Sequence, residues 1–125
     1  MEKDGIHMAR SIEFMDNQMV LQLSGLTSLG ALRRNVEIPY EKIANISIED
    51  FKMPLFHIRV GTSIADIKEG RFLIRNRWCF ISYENHKDVV VLELIDHEFA
   101  KVVFQIANPS ETRLLIEEHK RCSVR

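Results

Sequence analysis

The chain has 125 residues, 46% hydrophobic and 28% charged, which is the size of one domain and the composition of an ordinary globular protein. A chain this long buries about two-thirds of its extended surface and needs no disulfide or metal staple. Seventeen Lys+Arg against eighteen Asp+Glu leave a net charge of -1, which excludes a strongly basic nucleic-acid binder and a highly charged disordered chain.

Residues 1–10 are expected to be a loosely ordered start. The opening Met1-Glu2-Lys3-Asp4-Gly5 has no apolar run behind a basic stretch, so no secretory signal is expected. The longest uncharged stretch, Asn17 to Leu32, is too short and too polar to span a bilayer. Two distant cysteines, Cys79 and Cys122, form no CxxC pair and read as free thiols of a reducing compartment, with the cytoplasm as the default.

Alternation dominates the chain from Ser11 onward. Ser11–Met15 and Gln18–Ser24 read as a hairpin around Asp16-Asn17, with Met19, Leu21 and Leu23 on one face, because a period of two places i and i+2 on the same side. Gly25–Leu32 reads as irregular. Leu26, Leu29 and Leu32 are spaced for a short helical turn packed on the sheet, or for an apolar patch facing a partner or a membrane surface. Arg34–Ile38 is a weak strand, and Pro39–Ile43 a single helical turn begun by the proline. Ala44, Ile46 and Ile48 alternate with polar residues. Phe51–Phe56, around Pro54, reads as a loop with apolar contacts, and its Met53, Leu55 and Phe56 pose the same choice between packing and docking.

His57–Val60 is again a weak strand. Phe72 and Ile74, then Trp78 and Phe80, then Val102 and Phe104 alternate as strands, and Val89–Leu94 is nearly all apolar. Polar turns fall at 84–88 and 96–98. The period changes at Asn108-Pro109-Ser110-Glu111, a strong helix start, and the helix 108–122 is expected to anchor itself through Leu115 and Ile116, with Thr112 and His119 on the same stripe. Up to nine strands can be counted, and about seven are expected.

No catalytic motif is present. The five histidines sit on separate segments and make no HxH, HExxH or His/Cys cluster, so neither a metal nor a cofactor is expected. No GxSxG, P-loop or GxGxxG occurs. Asp66 and Glu69 read as solvated charges rather than as a carboxylate pair. The densest basic stretch is Arg71, Arg75 and Arg77, beside Trp78. The three arginines share a parity and would line one face unless Arg75-Asn76-Arg77 is itself a hairpin turn, which would put two arginines at a loop tip. They read as a solvated outer face or, with Trp78, as a dock for an acidic peptide or an anionic headgroup.

Three stretches carry a resemblance: Val36-Glu37-Ile38-Pro39-Tyr40-Glu41-Lys42-Ile43 ahead of Ile46-Ser47-Ile48; Arg59-Val60-Gly61-Thr62 ahead of Gly70-Arg71-Phe72; and the last strand passing into Asn108-Pro109 and a helix. In order and spacing they resemble the pleckstrin-homology-like domain family, its bacterial stand-alone members most closely. The resemblance implies an antiparallel, two-sheet barrel of about seven strands, capped by the C-terminal helix, that binds rather than catalyses. Phosphoinositide binding is not carried over, because no Lys or Arg lies between Ser11 and Leu32 and the first turn carries Asp16.

The reading is therefore a single, mostly β domain over 1–125. It is expected to be a cytoplasmic, non-enzymatic binding module for a protein partner or for itself, docking through sheet edges and through Leu26, Leu29, Met53, Leu55, Phe56, Arg71, Arg75, Arg77 and Trp78. The alternatives are a small-ligand or lipid-binding barrel and peripheral membrane association through anionic headgroups. No nucleic-acid partner is expected.

Overall fold

A computed structural model describes residues 10–25 and 31–123. They form nine strands and a C-terminal helix: β1 (Arg10–Phe14), β2 (Gln18–Leu23), β3 (Asn35–Pro39), a 3-10 turn (Tyr40–Lys42), β4 (Ile43–Glu49), β5 (Ile58–Ile64), β6 (Ile67–Ile74), β7 (Arg77–Tyr83), β8 (Val89–Leu94), β9 (Lys101–Phe104) and α1 (Pro109–Ser123). Leu26 and Leu29 lie outside the described residues.

The strands make two sheets. The smaller is the antiparallel meander β1-β2-β3, and the larger has the order β4-β8-β9-β7-β6-β5. The expected barrel is thereby corrected in three ways. The described residues form nine strands, because both weak candidates, in β3 and β5, pair fully. The larger sheet is mixed, because β9 slots between β8 and β7 and runs parallel to β7. The sheets are also two separate layers and do not close into a barrel.

The larger sheet is buried on both faces at its centre. On one face, Phe80, Val90, Leu92, Val102 and Phe104 meet Met19, Leu21, Val36 and Ile38 of the smaller sheet. On the other, Phe72, Ile81, Tyr83, Val91 and Val103 form a second core, with Phe51 and Met53 packed against it. This double burial explains why Val89–Leu92 shows no alternation: a stretch covered on both sides needs apolar residues at successive positions. Burial also pushes the Tyr83 phenol up to about 12 and raises the Cys79 thiol.

The helix lies over the 3-10 turn, β4 and β8. Thr112 and Ile116 are buried, and the His119 ring stacks on Phe14 with centroids 4.5 Å apart. Leu115 is not an anchor, since it is 38% exposed. The stripe Thr112–Ile116–His119 follows spacings of four and three, and Leu115 stands about 100° away from Ile116 around the axis.

One contact explains a sequence feature. Gly61 of β5 and Gly70 of β6 face each other across the strand pair, with φ of 143° and 138°. A Cβ on Gly61 would lie 2.1 Å from the Glu69 carbonyl oxygen, and one on Gly70 would lie 2.3 Å from that of Val60. Both the positive φ and the close backbone approach require glycine.

Candidate interaction surface

Among the described residues, β5 forms one margin of the larger sheet. Its alternate residues Ile58, Val60 and Ile64 share a face, and their β6 partners are Leu73, Arg71 and Ile67. Ile58 and Ile64 are 58% and 64% exposed, and Val60 and Ile67 are exposed too. Leu55 and Phe56, just ahead of the strand, are each 85% exposed. Six large apolar side chains thus line one sheet margin, and such a concentration on a folded surface marks an interaction site.

The sequence-derived docking residues divide around this margin. Leu55 and Phe56 belong to it. Met53 does not: it is turned inward against the second core. Trp78 is half-buried against the main core, and the Arg71 guanidinium covers its ring at 4.9 Å. Arg71 also lies 3.9 Å from Glu98, whose carboxyl is held below its usual range, chiefly by the hydrogen bond from Arg33.

The three arginines do not share a face. Arg75 and Asn76, with φ of 51° and 69°, form the two-residue turn between β6 and β7, a backbone that matches the twist of a hairpin. The turn pairs Arg77 with Ile74, whereas Arg71 pairs with Phe80, so Arg77 and Arg71 point to opposite sides of the sheet. Arg75, Arg77 and Lys101 border an open groove of about 440 Å³ together with Glu93 and apolar residues such as Leu94 and Ile95.

Sequence reasoning missed a buried polar cluster. The Arg10 side chain enters between the layers from β1 and is 3% exposed as a residue. Its Nε donates to the Gln105 carbonyl at 2.6 Å, and its guanidinium reaches Glu69 at 3.4 Å, Ser82 Oγ at 2.9 Å and both oxygens of Glu84. Ser82 donates to Glu69 Oε1 at 2.6 Å. Glu69 is 3% exposed, which corrects its reading as a solvated charge. Burial, with the Glu84 carboxylate nearby, outweighs Ser82 and Arg10 and pushes the Glu69 carboxyl up to about 8. Asp66 is partly exposed, and its carboxylate takes the backbone N–H of His86 at 3.0 Å and lies 3.0 Å from the ring Nδ1. Burial raises Asp66, but these bonds outweigh it and leave the carboxyl below its usual range.

Cys79 is buried and Cys122 exposed, and both are free. Among the described residues no group of three His, Cys, Asp or Glu side chains is arranged to hold a metal ion. Among the described residues no helix is long and apolar enough to cross a membrane. Comparisons with known protein families, with curated proteins and with solved structures find no match.

Proposed function

We propose that this protein is a non-catalytic docking module that holds a protein partner along the β5 margin. The observation that carries the reading is the exposure of Leu55, Phe56, Ile58, Val60, Ile64 and Ile67 on one edge of one sheet. Docking there draws its affinity from burial of these exposed apolar side chains against the partner. The buried cluster supports a non-catalytic role. Glu69 has an unusual proton affinity, but it is sealed by Arg10 and Ser82 between the layers, out of reach of a substrate. Two free thiols fit a reducing compartment, and we assign the module to the cytoplasm.

The test is affinity capture from the source cell with the wild-type chain and with the double variant Leu55→Asp/Phe56→Asp. Both side chains are almost fully exposed, so the variant keeps its fold and its thermal midpoint. The expected result is a partner retained by the wild type and reduced at least tenfold by the variant. Identical recovery by both chains overturns the proposal.

A second reading rests on the cationic groove of Arg75, Arg77 and Lys101. It is peripheral association with anionic headgroups, which predicts flotation with acidic liposomes at low salt and its loss in Arg75→Glu/Arg77→Glu. Failure to float at low salt removes it.

A further inference from the structure

Among the described residues, β4 is the other margin of the larger sheet. Its register against β8 slips between the pairs Ile43–Leu94 and Asn45–Glu93, so Ala44 is an extra residue, a bulge of the kind that bends a strand and re-aims its side chains. Ala44 is exposed and lines two open grooves. One, of about 540 Å³, is bounded by β4 and α1, with Ile43 and Ile46 on the strand side and Arg113, Lys120 and Arg121 on the helix side. The other is the groove of about 440 Å³ bordered by Arg75, Arg77 and Lys101.

The two grooves lie on opposite faces of the sheet. The helix packs on the main-core side, through Ile116. Glu93 stands between Leu92 and Leu94 of that core and so points to the other face. It belongs to a cross-strand row: Asn45 is opposite Glu93, Glu93 opposite Lys101, and Lys101 opposite Cys79. With neighbouring strands about 4.8 Å apart, this row runs about 14 Å from β4 to β7. Asn45 lines the first groove, and Glu93, Lys101 and Cys79 line the second. The small side chain of Ala44 sits at the junction, where a large one would divide a single track in two.

This track segregates charge that the chain as a whole balances. Among the described residues it is lined by six cations and by two carboxylates, Glu93 and Glu117, in a chain of net charge -1. Arg113 is paired with Glu117 at 3.2 Å. The other five cations make no ion pair among the described residues. Lys120 and Arg121 suit the C-terminal end of a helix dipole, but Arg75, Arg77 and Lys101 lie on no helix. A cleft lined by one sign of charge concentrates ligands of the other. Ile46 is half-buried and Ile95 is 55% exposed, so the track also offers apolar contacts.

We propose that this track is a second docking site, independent of the β5 margin, and that its occupant is an extended acidic peptide of a partner protein with apolar residues between its carboxylates. The carboxylates meet the cations on both sides of Ala44, and the apolar residues settle on Ile46 and Ile95. A single extended chain can pass around β4 from one face to the other. An anionic bilayer presents its headgroups in one plane and cannot engage both faces at once.

The probe comes from a displayed library of random twelve-residue peptides selected on the intact chain at low salt, since twelve extended residues span about 40 Å. The expected consensus interleaves Asp or Glu with apolar residues, and the synthetic consensus peptide binds more weakly as salt rises. Its Kd by calorimetry rises about fivefold in Lys120→Gln/Arg121→Gln and about fivefold in Arg75→Gln/Arg77→Gln. It rises at least as much in Ala44→Trp. All three variants keep the wild-type thermal midpoint, because the positions lie on the surface. Leu55→Asp/Phe56→Asp binds the peptide like the wild type. A selection with no acidic consensus overturns the inference. So does a peptide that responds to only one of the two cation pairs, or that ignores Ala44→Trp. A peptide lost in Leu55→Asp/Phe56→Asp belongs to the β5 margin and overturns it as well. Flotation with phosphatidylserine-containing liposomes that requires both cation pairs makes the occupant a membrane, which also overturns it.

Discussion

The two ends of the space between the sheets are closed by opposite chemistry, and both closures hang from one face of β1. Arg10 and Phe14 are four residues apart on that strand, about 13 Å at ~3.3 Å per residue. At the Phe14 end, the His119 ring of α1 stacks on Phe14 and on Tyr40, and Ile116 fills the space behind. Tyr40 keeps its hydroxyl satisfied by donating to the Met15 carbonyl at 2.9 Å, and burial raises its pKa. At the Arg10 end a cation, the Glu69 carboxyl and the Ser82 hydroxyl are buried together, with the half-buried Glu84 carboxylate at the rim. The lesson is that a layer edge can be sealed by stacked rings and aliphatic packing, or by a satisfied polar cluster that ties stability to the protonation of Glu69. Buried charges are costly singly and tolerable together, because each one's desolvation is offset only by the others.

The comparison breaks most visibly at Arg10. Arg10→Met leaves Glu69 and Glu84 facing each other without their cation, and the expected loss is about 4 kcal/mol in urea unfolding. Adding Glu69→Leu and Glu84→Met should recover most of that loss, because an apolar set leaves no uncompensated charge. If the triple variant is no better than Arg10→Met, the cluster is not what costs stability.

Next is Ile116→Ala at the helix end, with an expected loss of about 3 kcal/mol for a fully buried aliphatic side chain. Leu115→Ala should cost well under half as much. Equal losses by calorimetry would mean that the helix sits in a different rotation.

The third test probes the Arg10 end by pH. The Glu69 carboxyl holds its proton to about 8 when folded, whereas the unfolded chain releases it near the ordinary glutamate value of about 4.3. Between about pH 5 and 8 the folded state therefore binds the extra proton, and stability falls as pH rises, by at most ~1.4 kcal/mol per pH unit. Above about 8 both states are ionised and this contribution is flat. Glu69→Gln should remove that slope in urea midpoints taken across the range. A slope unchanged by the substitution assigns it to another group.

The smallest expected effect is at the stacked ring. His119→Ala should lower stability by about 1 kcal/mol, the scale of one aromatic contact.

Much of the fold was legible because strand and helix periods are local. The hairpin around Asp16-Asn17, the single turn at Tyr40, and the helix after Asn108 each depend on a few adjacent residues. The helix face was legible only approximately: neighbouring Leu115 and Ile116 both looked like anchors, and packing chose one. The strand count erred because β3 and β5 alternate weakly, and pairing with a neighbour stabilises what local pattern leaves marginal. The candidate surface was half legible. Leu55 and Phe56 stood out as apolar residues in a Pro54 loop, but Met53 two residues earlier turns inward. Ile58, Val60 and Ile64 carried no signal of exposure, because an apolar residue on a margin strand reads the same as one in a core.

The sequence alone determined the mostly β character, the terminal helix, the turn positions and the absence of recognisable catalytic motifs, since all of these depend on residues near one another along the chain. Tertiary structure alone decided that β9 inserts between β8 and β7, that Arg10 meets Glu69 and Ser82 across 59 and 72 positions, and that β5 ends up at a margin. Which strand lies beside which is set by long-range burial and charge compensation, and neither quantity exists until the chain has folded.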